Sequence, residues 1–289
     1  MTDSDVDSGP GTPPAIDVTV VVATQNRWAD LQASLPQHEA PVILVDNGST
    51  DGTPALVRRH FPDVTVVGLE RNRGAVARNV GVERARTAYV AFADDDSWWA
   101  PGSLTRAVEV LDAHPRLGVL AGRVLVGEDA TPDPICAVMA QSPLGRDPDL
   151  PGPSVLGFLA CGAVVRRTAY LEGGGFDPVI FFMGEEERLA LDLAALGWGL
   201  AYVEDVVAHH HPSPARNSQE RAVRGARNQL LTAVLRRPLS VVAATTARSL
   251  RSGSTGRAAV LAALPRLPAA LRDRRVLPPH VEAARRRLG

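Results

Sequence analysis

Short apolar runs rich in β-branched residues recur along the first half of the chain, at Val18-Thr19-Val20-Val21-Val22-Ala23, Val42-Ile43-Leu44-Val45, Val64-Thr65-Val66-Val67, Tyr89-Val90-Ala91-Phe92 and Leu117-Gly118-Val119-Leu120. They are continuous rather than alternating, the pattern of strands covered on both faces. Between them, residues 28–35, 53–60, 74–85 and 103–113 carry helix-like patterning. Strands and helices alternating at this spacing predict a doubly wound α/β architecture. Farther on, the Pro/Gly-rich stretch 131–153 reads as a mobile loop, 158–165 as a buried strand, 185–196 as a helix and 200–203 as a short strand. Helices broken at Pro238, Ser252-Gly253 and Pro265 to Pro268 follow from about Arg221. The Ser/Asp/Gly/Pro-rich opening reads as disordered, so three parts are expected: a lead-in at 1–14, an α/β domain at 15–217 and a helical tail at 218–289.

In this architecture ligands bind beyond the carboxyl ends of the strands, and polar clusters fall there. Thr24-Gln25-Asn26-Arg27 follows the first run, Asp46-Asn47-Gly48-Ser49-Thr50-Asp51-Gly52 the second, Glu70-Arg71-Asn72-Arg73-Gly74 the third and Asp94-Asp95-Asp96 the fourth. Three adjacent carboxylates repel one another unless a cation or several donors face them. Hard oxygen ligands of this kind suit magnesium or manganese, which complete their shells with water and substrate phosphates. The rival reading makes Asp96 or Ser97 a cap for the helix that Pro101 opens. Four polar clusters on one rim favour the metal. A nicotinamide or flavin site is excluded in turn, because Ala23-Thr24-Gln25-Asn26-Arg27 stands where G-x-G-x-x-G would open.

Taken in order, Val45-Asp46-Asn47-Gly48-Ser49-Thr50-Asp51-Gly52-Thr53, Asn72-Arg73-Gly74 with Ala77-Arg78-Asn79 and Gly81, the Asp94-Asp95-Asp96 cluster, Gly174-Gly175-Phe176-Asp177 and Gly184-Glu185-Glu186 resemble a family 2 glycosyltransferase. The resemblance covers about residues 17–211, and Phe181-Phe182 with the acidic segment after it is similar to the rhamnosyltransferase-like branch. It implies a GT-A fold, a Rossmann-like doubly wound mixed sheet, here with a C-terminal helical extension. It also implies a nucleotide-diphosphate sugar donor, Mn2+ or Mg2+, and inversion at the anomeric carbon.

Carried onto this chain, the resemblance gives Asp46 the imide N–H of the base, with Thr24, Asn26, Arg27 and Asn72 bordering the pocket. An Asx turn is the rival role for Asp46. Arg78 would meet the nucleotide or its phosphates, its alternative being an exposed helical arginine. Asp94 and Asp95 would face the donor, and Asp96, with Asp94, would bind the metal. The family pattern adds a histidine near the ion; in an extended His209-His210-His211 two rings share a face, which favours His209 or His211. The matching general base is Glu186, with Glu185 before it, where the family more often has Glu-Asp. Crowding of Glu185, Glu186 and Glu187 would raise a pKa, as suits a base, although acids also simply favour a helix N-terminus. The family's Asp and Arg beyond the base are exchanged for Arg188 and Asp192, which preserves an i,i+4 ion pair.

Composition then narrows the partners. The net charge of −1 gives no overall preference for nucleic acid, but the segment from Gln219 onward has 15 arginines against Glu220, Asp273 and Glu282. All the basic residues among the 31 Lys+Arg are arginine. Arginines interleaved with Leu, Ala and Val predict either amphipathic helices on an anionic membrane, near a lipid-linked acceptor, or solvated faces of helices packed on the domain. No aromatic residue interrupts that segment, which disfavours nucleic acid. Two cysteines, an acidic N-terminus and no long apolar stretch make a cytoplasmic protein the expectation, peripheral at the inner face of the plasma membrane if the tail binds lipid. The expected activity is transfer of a sugar to a hydroxyl of a glycan, lipid-linked or small-molecule acceptor. The alternative is a non-catalytic sugar-nucleotide-binding or scaffold protein of a glycan pathway; a nucleotidyltransferase is a weaker third, lacking its glycine-rich phosphate loop.

Overall fold

The computed structural model describes residues 16–212 and 218–289, so the expected lead-in at 1–14 and the junction just before residue 218 lie outside the described residues. Nine strands form one mixed sheet. They are β1 (Val18–Thr24), β2 (Val42–Asp46), β3 (Thr65–Gly68), β4 (Tyr89–Asp94), β5 (Ser97–Trp99), β6 (Leu117–Val126), β7 (Thr131–Pro132), β8 (Ala163–Arg166) and β9 (Gly199–His210). Their order is β3-β2-β1-β4-β8-β6-β9-β5, with β7 on β6. The first four are parallel, β8 runs antiparallel between β4 and β6, and β9 is parallel to β6.

The continuous apolar runs serve two cores. Val21, Val45 and Phe92 face one side of the sheet, and Val20, Val22, Leu44 and Ala91 the other. Helices α1 (Trp28–Ser34), α2 (Thr53–His60), α3 (Ala77–Arg84) and α4 (Ser103–Ala113) follow in the expected places. A Cβ on Gly81 of α3 would lie 2.4 Å from Val21 Cγ1, so glycine lets this helix seat closely on β1.

Three expected boundaries differ. The stretch 131–153 is not all loop: β7 and α5 (Pro134–Ala140) stand in it, the helix capped by Asp133, which accepts from Ile135 N at 2.9 Å. Residues 158–165 are not one strand, because a 3-10 turn at Ala160–Gly162 precedes β8. Gly162 lies against Val124 there, with 2.4 Å between a built Cβ and Val124 Cγ2. Beyond α6 (Arg167–Glu172) and α7 (Glu185–Ala195), the short strand expected at 200–203 is the start of the 12-residue β9, which carries His209 and His210 into the sheet.

The tail comprises α8 (Ser218–Arg236), α9 (Leu239–Arg251), α10 (Gly253–Ala263), α11 (Leu267–Arg272) and α12 (Pro279–Arg287), interrupted at the prolines and the Ser-Gly pair as expected. It packs on the α/β domain. Leu230, Leu231, Val234 and Leu235 of α8 bury with Val179 and Ile180, while Leu277 and Val281 bury with Leu156 and Leu191. Arg236 Nη2 also donates to Asp192 Oδ2 at 3.0 Å.

Candidate active site

β1 and β4 pair in register with Ala23 opposite Asp94, and the chain then reverses into β5, which pairs antiparallel with β9. That reversal brings Asp96 beside the histidine run. Ser97 pairs with His210 and Trp98 with His209, and His211 N donates to Asp96 O at 2.8 Å. Side chains alternate along an extended strand. His209 and His211 do share a face, as expected, but it is the face of Trp98, with ring centroids 5.6 and 4.7 Å away. The histidine that reaches the acids is therefore His210, whose Nε2 lies 3.3 Å from Asp96 Oδ1; this corrects the preference for His209 or His211. One ligand atom each from Asp94, Asp96 and His210 fall within 4.8 Å of one another. Two carboxylates and an imidazole are a donor set that manganese or magnesium accepts, so these residues fit the implied ion.

Asp94 is also engaged by Arg78, which is buried rather than exposed on its helix. Burial disfavours the guanidinium charge, but Asp94, Glu185 and Glu186 more than offset it, and Arg78 stays protonated. Asp95 accepts from Thr24 Oγ1 at 3.0 Å, with Arg27 Nε 3.8 Å away. Burial and the charges of Asp94 and Asp96 push its carboxyl up to about 7.

Glu185 and Glu186 open α7 after Gly184, whose φ of 82° suits glycine. Glu185 is buried, and Oε2 has no hydrogen-bond partner among the described residues. Burial, then repulsion from Glu186, pushes it up to about 8. Glu186 is raised as well, chiefly by burial, yet keeps part of its surface on the cavity. Glu187 instead pairs with Arg285 at 2.6 Å. The exchanged pair is present, with Arg188 Nε 3.1 Å from Asp192 Oδ2, but it is buried and extends to Asp177 and Arg236.

Asp94, Asp95, Asp96, His210, Glu185 and Glu186 line one cavity of about 670 Å³, together with Thr24, Arg27, Asn72 and Arg78. Asp46 and Asn26 do not line it. Asp46 Oδ2 accepts from Ser49 N at 3.1 Å, the Asx turn, while its buried Oδ1 has no partner among the described residues. Asn26, at φ 55°, accepts from Thr50 N at 2.8 Å and its own N–H donates to Ser49 Oγ, so it braces the β2 loop. Asn72 is partly committed too, donating to Gln25 Oε1 at 2.5 Å and accepting from Gly74 N at 2.8 Å.

The lining also includes Ala160 and Cys161, from the 158–162 segment expected to shape the pocket, and Gln25, Asn47, Arg221 and Arg224, none of these four expected as a site residue. Asn47 had a signal, standing in the Asp46 loop; its amide donates to Gly74 O and its Oδ1 accepts from Arg73 N at 2.7 Å. The two arginines come from α8, a helix assigned to the tail, and no local motif marks them.

Comparison with known proteins converges on the same class. Residues 19–174, more than half of the chain, match the model of Glycosyl transferase family 2. The N-acetylglucosaminyl-diphospho-decaprenol L-rhamnosyltransferase of Mycobacterium tuberculosis is 30% identical over 203 residues, which span 59% of this chain and 66% of that relative. Among solved structures, the mannosyltransferase PcManGT from Pyrobaculum calidifontis, in complex with GDP-Man and Mn2+, superposes with a TM-score of 0.59 at 25% identity over 92% of this chain and 76% of its own. S. aureus TarS with UDP-GlcNAc gives 0.59 at 18% identity, over 92% and 83%. The chain belongs to glycosyltransferase family 2 and has the GT-A fold, extended by C-terminal helices.

Proposed function

We propose that the protein is an inverting glycosyltransferase that moves a sugar from a nucleotide-diphosphate sugar to a hydroxyl of a glycan acceptor by single displacement. The observation that carries this reading is the meeting of the Asp94, Asp96 and His210 set with Glu185 and Glu186 in one cavity. Asp94, Asp96 and His210 would hold Mn2+ or Mg2+, which when bound neutralises charge on the departing diphosphate. The free Oδ1 of Asp46 is the acceptor for the base's N–H, once the loop admits it. Thr24 and Arg27 hold Asp95, and Arg78 holds Asp94, so the acidic rim is oriented before the donor arrives. Glu186, open to the cavity, takes the acceptor's proton as its oxygen attacks the anomeric carbon opposite the leaving diphosphate. Glu185 is too deeply buried for that role, and its own carboxyl is held protonated by burial and by the charge of Glu186.

The named activity of the mycobacterial relative favours a lipid-linked acceptor and a place in cell-envelope polysaccharide biosynthesis. No helix of the described residues is long and apolar enough to cross a membrane. The tail does expose Leu239, Leu250, Leu261, Leu264 and Leu271, along with Arg248, Arg251, Arg257 and Arg272. That combination supports peripheral contact with an anionic leaflet, the inner face of the plasma membrane in a cytoplasmic enzyme.

The deciding experiment is a thermal-shift panel of UDP-, dTDP- and GDP-sugars with and without manganese, since a ligand of the folded state raises its stability. A manganese-dependent rise with one nucleotide is expected. No rise with any of them would overturn the reading.

A further inference from the structure

Several arginines of the helical tail have carboxylate partners. Arg236 pairs with Asp192, Arg237 with Glu282 and Arg285 with Glu187. The first half of α8 is different. Arg221, Arg224 and Arg227 recur at every third position on one side of the helix, and none has a carboxylate partner among the described residues. Arg221 and Arg224 line the cavity. Behind them Arg227 donates to Ile180 O at 3.3 Å, and Arg266 donates to Val179 O at 2.7 Å, both bonds to neutral carbonyls.

Arg224, Arg227 and Arg266 crowd one another. Burial, then the charges of Arg266 and Arg224, pulls Arg227 down to about 10, and Arg266 is lowered by burial and by Arg224. The acids of the cavity respond to other arginines: Asp95 to Arg27, and Glu185 and Glu186 to Arg78. The cavity therefore has an acidic wall on the strand ends and a separate cationic wall, formed by α8 against the 178–183 segment. That segment leads directly into Glu185 and Glu186, and Phe182 on it is 37% exposed.

We propose that Arg221 and Arg224 form an anion subsite for the acceptor, and that the acceptor is a phosphate or diphosphate ester whose sugar hydroxyl is presented to Glu186. The inference rests on the proposed transferase reading, in which the donor's diphosphate is served from the acidic wall. An anion held beside the base's loop then belongs to the nucleophile's side. Guanidinium groups bind phosphate oxygens through paired charge-assisted hydrogen bonds, and cavity-lining guanidiniums lacking carboxylates are poised to accept such a partner. The exposed ring of Phe182 gives an apolar surface beside it for a lipid ester.

The test is calorimetric titration of farnesyl diphosphate, and of inorganic pyrophosphate, into the full chain and an Arg221→Gln/Arg224→Gln double variant. Each titration is run with manganese alone and with manganese plus a saturating nucleoside diphosphate. Farnesyl diphosphate is expected to bind wild type whether or not nucleotide is present, and to bind the double variant ~10–100-fold more weakly. Nucleoside diphosphate affinity is expected to change less than about twofold. An unchanged melting temperature in the variant excludes a folding defect. Equal weakening of nucleoside diphosphate binding would reassign the arginines to the donor and overturn the proposal, as would wild type binding farnesyl diphosphate no better than the variant. Pyrophosphate bound as tightly as farnesyl diphosphate supports the anion subsite and removes the lipid from it. If no nucleotide binds but arginine-dependent farnesyl diphosphate binding persists, the donor reading fails and the subsite stands.

Discussion

His210 Nε2 stands 3.3 Å from Asp96 Oδ1, while His209 stacks on Trp98 from the other face of the same strand. Strand alternation thus divides three identical residues into one candidate ligand and two partners of an indole. His210→Ala is expected to weaken manganese binding by at least ~10–100-fold, the range seen even for groups that only orient ligands. His209→Ala should lose ~0.5–1.5 kcal/mol of ring stacking and keep its manganese response. Manganese titrations followed by melting temperature read both effects; a His209 variant that lost the response would restore the register favoured by sequence.

Much of this was legible in the chain because it is local. Buried parallel strands show as continuous apolar runs, and rim loops show as Asp, Asn and Gly after them, so β1 to β4 and Asp94, Asp95 and Asp96 could be read directly. The histidine register depends on where β9 pairs with β5, a nonlocal fact that no spacing encodes. Asn26 and Asp46 sit in the right loops, but their side chains are spent partly on Ser49 and Thr50, a competition settled only when two loops meet. Arg221 and Arg224 were hidden because a basic helical stretch looks the same whether it faces lipid, solvent or a cavity.

Glu186→Gln should lower kcat by ~10²–10⁴-fold, the usual contribution of a positioned base, while donor binding remains. Steady-state transfer assays combined with donor titrations separate the two. Full activity in this variant would remove Glu186 from the chemistry and leave Glu185 as the carboxylate to test.

Without metal, stability should fall as pH rises. Glu185 is pushed from 4.5 up to about 8 and Asp95 from 3.8 up to about 7 in the folded state. The folded protein therefore binds more protons than the unfolded chain between those limits, so stability is lost progressively across that window and changes no further above it. Glu185 titrates together with Glu186, so the window belongs to the pair. Melting temperatures in a chelator should decline from about pH 5 to about pH 8, and Glu185→Gln should flatten the decline. An identical slope in that variant would show that Glu185 ionises freely in the fold.

Asn228 should hold the entrance to the catalytic helix in place. The segment before α7 is strained, with Phe181 at φ 72° and Met183 at φ 73°, values that non-glycine residues seldom adopt. Asn228, buried on α8, donates its side-chain amide to Phe182 O at 2.7 Å and Met183 O at 2.6 Å. Its own Oδ1 accepts from Arg227 Nε at 2.9 Å, which fixes the amide's orientation. Across the loop, Ala75 N donates to Phe181 O at 2.6 Å, and a Cβ on Gly74 would lie 2.2 Å from that oxygen. Asn228→Ala leaves two carbonyls unpaired, at a cost of ~1–3 kcal/mol, and allows the strained turn to relax. Because Glu185 and Glu186 begin immediately after it, kcat should fall while donor affinity, set at the far strand ends, holds. Asn228→Asp keeps the shape but cannot donate, so it should behave like the alanine variant in kcat. If kcat is unchanged in both variants while only the melting temperature drops, Asn228 is a packing residue and the strain in the loop is without catalytic consequence.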